Sequence, residues 1–332
     1  MSRFTQTLIP RAQRQSVEAL DDALDLGSGD TLSKRSGFLI MLTISAIIAT
    51  AGVLADSTAT VIGAMIIAPL GTPILGIAWG IVIGRLSLVI RSILWVLLGL
   101  AIVVVLGLCF AVFVATPESL ATNSQVLGRT SPSLMDLIAA LATGFVGGFA
   151  MCRKDLSAVL PGVAIAISLV PPLAVVGVCA GQGLWSDALG ALVLFLSNVV
   201  ALVIAGSIVF TMAGYARDPQ ASPRANRRRA YTVVTVLALI IALPLAANSI
   251  VSVAIARWTV TIQEATTEWL APSEGARVYN VAWSGLTATL QLTTTNGQIP
   301  TIDDLEATLD AQIPSYVGVV LDVGQGVEHV VR

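Results

Sequence analysis

The chain has 332 residues, 55% of them hydrophobic and 11% charged, with a formal net charge of −2 and a mean hydropathy of +0.86. Soluble domains carry about 25% charged residues, so this deficit excludes an ordinary soluble protein and implies an α-helical polytopic membrane protein. No basic patch with interleaved aromatics occurs, so no nucleic-acid partner is expected.

Residues 1–36 form an expected cytoplasmic segment, too polar for a signal peptide. Val17, Leu20 and Leu24 recur at helical spacing and predict a short amphipathic helix on the membrane or on the protein's own cytoplasmic face. "GSGD" at 27–30 imitates an intramembrane aspartyl-protease motif, but it lies in polar sequence before the first span and is expected to be a loop.

A span needs about 20 apolar residues to cross about 30 Å of hydrocarbon. Seven stretches qualify: 37–55, 57–83, 88–115, 133–151, 156–180, 186–213 and 231–256. The first six form an expected core over 37–215. A basic loop, 216–230, precedes the seventh span, taken as 231–257. With the N-terminus inside, the cytoplasmic segments hold 14 of the 18 basic residues, and the opposite side holds Arg129, Arg257, Arg277 and Arg332. The positive-inside rule therefore predicts a multi-pass membrane protein with a cytoplasmic N-terminus and an extracytoplasmic C-terminal domain.

Shifted by 99 residues, the sequence matches itself weakly. "DSTATVIGAMIIAPLGTPILG" lies over "DLSAVLPGVAIAISLVPPLAV". Asp56 meets Asp155, Gly63 meets Gly162, Leu70 meets Leu169 and Pro73 meets Pro172; further on, Gly84 meets Gly183 and Gly107 meets Gly206. The repeat unit, about 37–115 and 136–214, holds three spans. An odd number of crossings makes the second unit enter from the opposite side, an inverted 3+3 repeat. The middle span of each unit is interrupted at the same place, by "APLGTP" (68–73) and "LVPP" (169–172). Proline lacks an N–H and clashes with the carbonyl one turn back, so the second and fifth helices are expected to be discontinuous. Irregular backbone at that depth persists only where it is buried in protein or lines a wet cavity.

These stretches carry a family resemblance. "IGAMIIAPL", "LVPPLA" and "FLSN" resemble the signature regions of the prokaryotic membrane family described as "domain of unknown function 389", over about 37–215. The resemblance implies a prokaryotic inner (plasma) membrane location and a topology, and no settled activity.

The pathway candidates cluster at the two interruptions: Gly63, Pro69, Gly71, Thr72 and Pro73 in the first, Gly162, Ser168, Pro171 and Pro172 in the second, with Asn198 in the sixth span. The competing reading makes the breaks packing kinks and Asn198 an interhelical hydrogen bond. Asp56 and Asp155 begin their spans as helix caps or as paired gates, one at each mouth. "GFVGG" (144–148) suggests close helix contact or an oligomer seam. No HExxH, GxSxG or Walker pattern is present, and the one histidine, His329, lies four residues from the end. Cys109, Cys152 and Cys179 lack metal or disulfide spacing. Neither an enzyme nor a cofactor or metal is expected.

Residues 258–332 change character. A helix bearing Trp258, Ile262, Ala265 and Trp269, a hairpin turning at Ser284-Gly285, a helix with Ile302, Leu305, Leu309 and Ile313 on one face, and a strand "YVGVVLDV" predict a small α-β-β-α-β domain. Thr301 and Asp304 have capping-box-like spacing. Two functions remain open. One is a channel or transporter for a small ion or small neutral solute, in a lipid bilayer and as a homo-oligomer, with its path where the repeats meet. The other is a non-transporting scaffold or envelope sensor acting through the C-terminal domain.

Overall fold

The computed structural model describes residues 9–10, 12–114, 118–130, 132–156, 169–217, 227–271, 276–284, 287–294 and 299–325. The chain divides into two units, 1–246 and 247–332. The first is helical: α1 (Val17–Leu24), α2 (Thr31–Leu54), α3 (Thr58–Ile67), α4 (Gly71–Ile83), α5 (Leu86–Phe110), α6 (Glu118–Ala121), α7 (Ser124–Thr130), α8 (Leu134–Cys152), α9 (Val170–Gly181) and α10 (Trp185–Met212). The last helix, α11 (Arg227–Leu270), crosses the division between the units.

Among the described residues, four helices are long and apolar enough to cross a membrane: Thr31–Leu54, Leu86–Phe113, Leu134–Cys152 and Trp185–Met212. A fifth span results if α3 and α4, bent by 48°, are taken together. This differs from the seven expected. The fifth expected span is represented by α9, with 12 residues, and its residues 157–168 lie outside the described residues. The seventh falls inside the 44-residue helix α11.

Hydrogen bonds between chain segments define two poles of the first unit. At one, Gln15 N donates to Cys152 O at 2.9 Å and Lys154 N to Gln13 O at 2.8 Å. Arg14 Nε donates to Ala213 O at 3.1 Å, and the Tyr215 hydroxyl to Gln15 O at 2.8 Å. Helix α1 lies across the end of α4. Its Val17, Leu20 and Leu24 are buried, and Asp21 accepts from Trp79 Nε1 at 2.6 Å and Arg85 Nη1 at 2.8 Å. Asp25 pairs with Arg91 at 2.8 Å. The predicted amphipathic helix is thus a strap on the protein's own surface.

At the other pole, Asn123 Nδ2 donates to Val53 O at 2.8 Å, Gln125 Nε2 to Thr58 Oγ1 at 2.8 Å and Gln182 Nε2 to Ala111 O at 2.7 Å. The first pole carries Arg14, Lys34, Arg35, Arg85, Arg91, Arg153 and Lys154; the second carries Arg129. Helices α2 and α5 run from the basic pole to the other, while α3–α4, α8 and α10 run back; α9 ends at the second pole.

Element boundaries recur 99 residues apart. Helices α4 and α9 start at 71 and 170, α5 and α10 at 86 and 185, and the apolar stretches containing α5 and α10 end at 113 and 212. Gly84 (φ 73°) and Gly183 (φ 76°) both take the left-handed conformation behind their helices, where glycine carries no Cβ penalty. The packing follows the same offset. A Cβ on Gly107 of α5 would lie 2.8 Å from Ala174 O and 2.8 Å from Gly177 Cα of α9. A Cβ on Gly206 of α10 would lie 2.9 Å from Leu75 and 3.1 Å from Ala78 of α4. Adding 99 to 107 and subtracting it from 174 and 177 turns the first set of contacts into the second.

"GFVGG" also packs within the chain. A Cβ on Gly144 would meet Ala205 at 2.8 Å and one on Gly148 would meet Gly206 Cα at 3.2 Å, so this stripe seats α8 on α10.

The second unit contains the end of α11, the strands β1 (Arg277–Ser284) and β2 (Thr287–Thr294), helix α12 (Ile302–Asp310) and strand β3 (Gly318–Gln325). The sheet order is β1-β2-β3. β1 pairs antiparallel with β2, and β2 parallel with β3, the α12 crossover that parallel strands require. Ile262, Ala265 and Trp269 of α11 share a core with Leu290, Leu292, Leu305 and Leu309. Thr301 precedes α12 but makes no side-chain cap, which corrects the capping-box expectation.

Replacing Gly177 by alanine is expected to cost about 1–3 kcal/mol, because its Cβ would press on α5 backbone that cannot retreat. Replacing Gly63, whose Cβ would meet nothing within 4 Å, should leave stability unchanged or slightly raised. Thermal unfolding of the two variants in detergent measures the contrast.

Candidate functional site

The break in the second span is built by its two prolines. Helix α3 ends at Ile67, and Ala68 takes an extended conformation, with ψ 123°. The Ala68 N–H turns to Met65 O at 3.4 Å, which leaves the Ala64 carbonyl without its usual helical donor four residues on. The buried Ser45 hydroxyl of α2 donates to that carbonyl at 2.8 Å. A side chain thus restores what the break removes, as a buried backbone carbonyl requires. Beyond the break, Thr72 N donates to Pro69 O at 3.2 Å and Ile74 N to Leu70 O at 3.4 Å, restarting the helix. Leu70 is fully buried and fits against Gly99 of α5, where a Cβ would come within 2.6 Å of it.

The matching place in α9 differs in detail. Pro171 and Pro172 occupy the first turn, where a missing N–H removes no intrahelical bond. Leu169, before them, makes no side-chain cap. A cavity of about 280 Å³ opens beside Pro172 and Asn198. It reaches Met65 at the end of α3 on one side, and Arg129 and Asp136 at the second pole on the other. The cavity therefore runs from the end of the first unit opposite the basic pole to Pro172 and to Met65 near the end of α3.

The sequence-named residues fall into three groups. Pro172 and Asn198 line the cavity. Gly71, Pro73 and Pro171 are buried at the interruptions, while Pro69 and Thr72 are half-buried there. Gly63 is exposed on α3 with nothing near it, so it shapes no wall. Gly162 and Ser168 lie outside the described residues.

Asp56 and Asp155 lie at opposite poles. Asp56 has φ 49°, and the cap of α3 is its neighbour Ser57, which accepts from Thr60 N at 3.4 Å. Asp56 caps a different helix: its Oδ1 accepts from Ser124 Oγ at 2.6 Å and Gln125 N at 3.2 Å, at the start of α7. The Ser124 hydroxyl, foremost, holds its carboxyl below the ordinary value. Asp155 pairs with Arg153 at 2.6 and 3.0 Å, and that guanidinium lowers its pKa.

Arg129 and Asp136 were not candidates from sequence. Arg129 Nη1 donates to Gln125 O at 2.7 Å and Oε1 at 3.1 Å, and burial lowers its pKa. Asp136 Oδ2 accepts from Ser133 N at 2.8 Å and Oγ at 2.7 Å. The signals that could have exposed them are slight: Arg129 is the one cation between the third and fourth expected spans, and Ser133 and Asp136 have capping-box spacing. A second hollow of about 350 Å³ lies between α12 and β3 in the other unit, and none of the sequence-named pathway or cap residues lines it. Among the described residues, no His, Cys, Asp and Glu cluster could hold a metal ion.

Every residue lining the 280 Å³ cavity falls within 65–204, and those residues match the family model described as "Domain of unknown function (DUF389)". The chain resembles the DUF389 family over this stretch. An "Uncharacterized protein MJ0678" of Methanocaldococcus jannaschii is 32% identical over 206 residues, 62% of this chain and 62% of that protein. The chain thus matches less than two thirds of the length of that curated relative. No solved structure matches. The DUF389 resemblance read from the motifs is therefore shown, and it brings no activity with it.

Ser45→Ala should leave the Ala64 carbonyl unpaired in the interior, at about 1–3 kcal/mol. Ser36→Ala, on the exposed start of the same helix, should be neutral within about 0.5 kcal/mol. Denaturation of both variants in detergent checks the difference.

Proposed function

We propose that the first unit is a membrane channel or transporter for a small ion or small neutral solute, with its path where two inverted three-span halves meet. The observation that carries this reading is the exchange of glycine contacts at an offset of 99 residues: 107 with 174 and 177, and 206 with 75 and 78. A sequence repeat alone could fold as two separate bundles. Here the third helix of each half packs on the middle helix of the other, and the described helices of the second half run opposite to their counterparts. Pathways in inverted-repeat proteins lie at such a junction, near discontinuous helices. The cavity reaches Met65 and Pro172, one beside each interruption.

The concentration of lysine and arginine at the strap pole supports a cytoplasmic assignment for that pole. The cavity then opens to the extracytoplasmic side. At the offset of 99, Asn198 stands where the first half has Gly99. In the first half that site is filled by Leu70; in the second an amide lines the cavity. This departure from the repeat supports a polar group on the proposed path. A homo-oligomer remains part of the proposal only through the apolar surfaces of the spans, since "GFVGG" is taken up inside the chain.

Purified protein in liposomes tests the reading. Flux of potassium, chloride or a small uncharged solute should exceed that of empty vesicles, and Asn198→Leu should reduce it by an order of magnitude in a protein of unchanged melting temperature. Absence of flux for every solute, or flux indifferent to the cavity, would overturn the proposal and leave the scaffold reading.

A further inference from the structure

The cavity described above is lined by two opposite charges that do not pair with each other. Arg129 carries five N–H donors. Its Nη1 bonds to Gln125 O and Oε1, both neutral, and among the described residues no carboxylate forms an ion pair with it. Burial lowers its pKa. Asp136 is held by the Ser133 N–H and hydroxyl, also neutral donors. One oxygen takes both bonds, so the carboxylate keeps acceptor capacity.

Arg129 and Asp136 are both half-buried, and a half-buried charge is stabilised when a group of opposite sign is held against it. A chloride ion in this cavity would meet Arg129 but also Asp136. A metal cation would meet Asp136 but also Arg129. A molecule with one negative and one positive end satisfies both walls. About 280 Å³ falls just below the roughly 300–1,000 Å³ of sites for drug-sized ligands, which sets a limit at a few heavy atoms. Asn198, nearly fully buried, adds a side-chain amide that can both donate and accept.

We infer that this cavity binds a small zwitterion of the amino-acid type, its carboxylate on Arg129 and its ammonium group on Asp136. The inference rests on the proposed pathway only for its biological use; the binding itself depends on the cavity alone. It narrows "small ion or neutral solute" to a solute without net charge and with separated charged ends.

The test is equilibrium binding of radiolabelled L-alanine to the full chain in nanodiscs, with propionate and L-alaninamide as competitors that each lack one charged end. L-Alanine should bind, and each competitor should bind about tenfold more weakly or worse, as loss of a charge-assisted hydrogen bond implies. Arg129→Gln and Asp136→Asn should each weaken L-alanine by roughly 10- to 100-fold, and Arg129→Lys should recover most of the loss. Asn at 136 still accepts from Ser133, so an unchanged melting temperature certifies the fold of that variant. No L-alanine binding to folded protein, or binding indifferent to both substitutions, overturns the inference. So does binding of propionate or chloride that depends on Arg129 and not on Asp136, which would mark an anion site. Vesicle uptake of the same label separates the two readings. Binding without uptake sinks the transport proposal and keeps this one; ion flux without L-alanine binding does the reverse.

Discussion

The first unit depends on backbone meeting backbone where α5 crosses α9. Gly107 and Gly177 face each other there, with Ala174 alongside, and no side chain fits between. Within a bilayer the lipid tails are as apolar as leucine, so burial of apolar side chains gives little reason for helices to associate. Close approach and dispersion carry the contact instead, and small residues are what permit them. The α10–α4 crossing at Gly206 and Ala78 applies the same device. Helices α5 and α10 thereby pack against α9 and α4 across the chain, and neither pair has its native neighbours without the other.

That interlock explains why the proline breaks are tolerated. Interrupted backbone in hydrocarbon would expose carbonyls to lipid, at several kcal/mol each. Here α3 lies against α2 and α9, α4 packs between α5 and α10, and Ser45 supplies the missing donor at Ala64. The break is free to be irregular because its surroundings are protein. The 280 Å³ cavity approaches it from the far pole, while the strap of residues 12–28 fixes the basic pole through Asp21, Trp79, Arg85 and Tyr215.

Much of this architecture was legible in the sequence because hydropathy and proline act locally. The described spans begin and end near where their apolar runs do, and the interruption after Ile67 follows from Pro69 and Pro73. The offset of 99 residues seen in Asp, Gly and Pro reappears in the helix starts at 71 and 170 and at 86 and 185. What sequence could not supply was partnership. Asp56 sits where an N-cap is expected, yet a left-handed backbone turns it toward Ser124 and Gln125, 68 and 69 residues away. "GFVGG" advertised a close contact without saying that α10 fills it. Arg129 and Asp136 look like loop residues until α7 and α8 bring them to one cavity with Pro172.

The proposed opposed orientation of two halves is open to direct measurement. In a chain with Cys109, Cys152 and Cys179 replaced, single cysteines at the exposed positions Ser33, Thr122, Lys154 and Ser186 can be labelled by a membrane-impermeant thiol reagent in vesicles of either orientation. Ser33 and Lys154 should react from one face of the membrane, and Thr122 and Ser186 only from the other. Labelling of Ser33 and Thr122 from the same face would mean that the first half crosses an even number of times, and two inverted halves could not then exist.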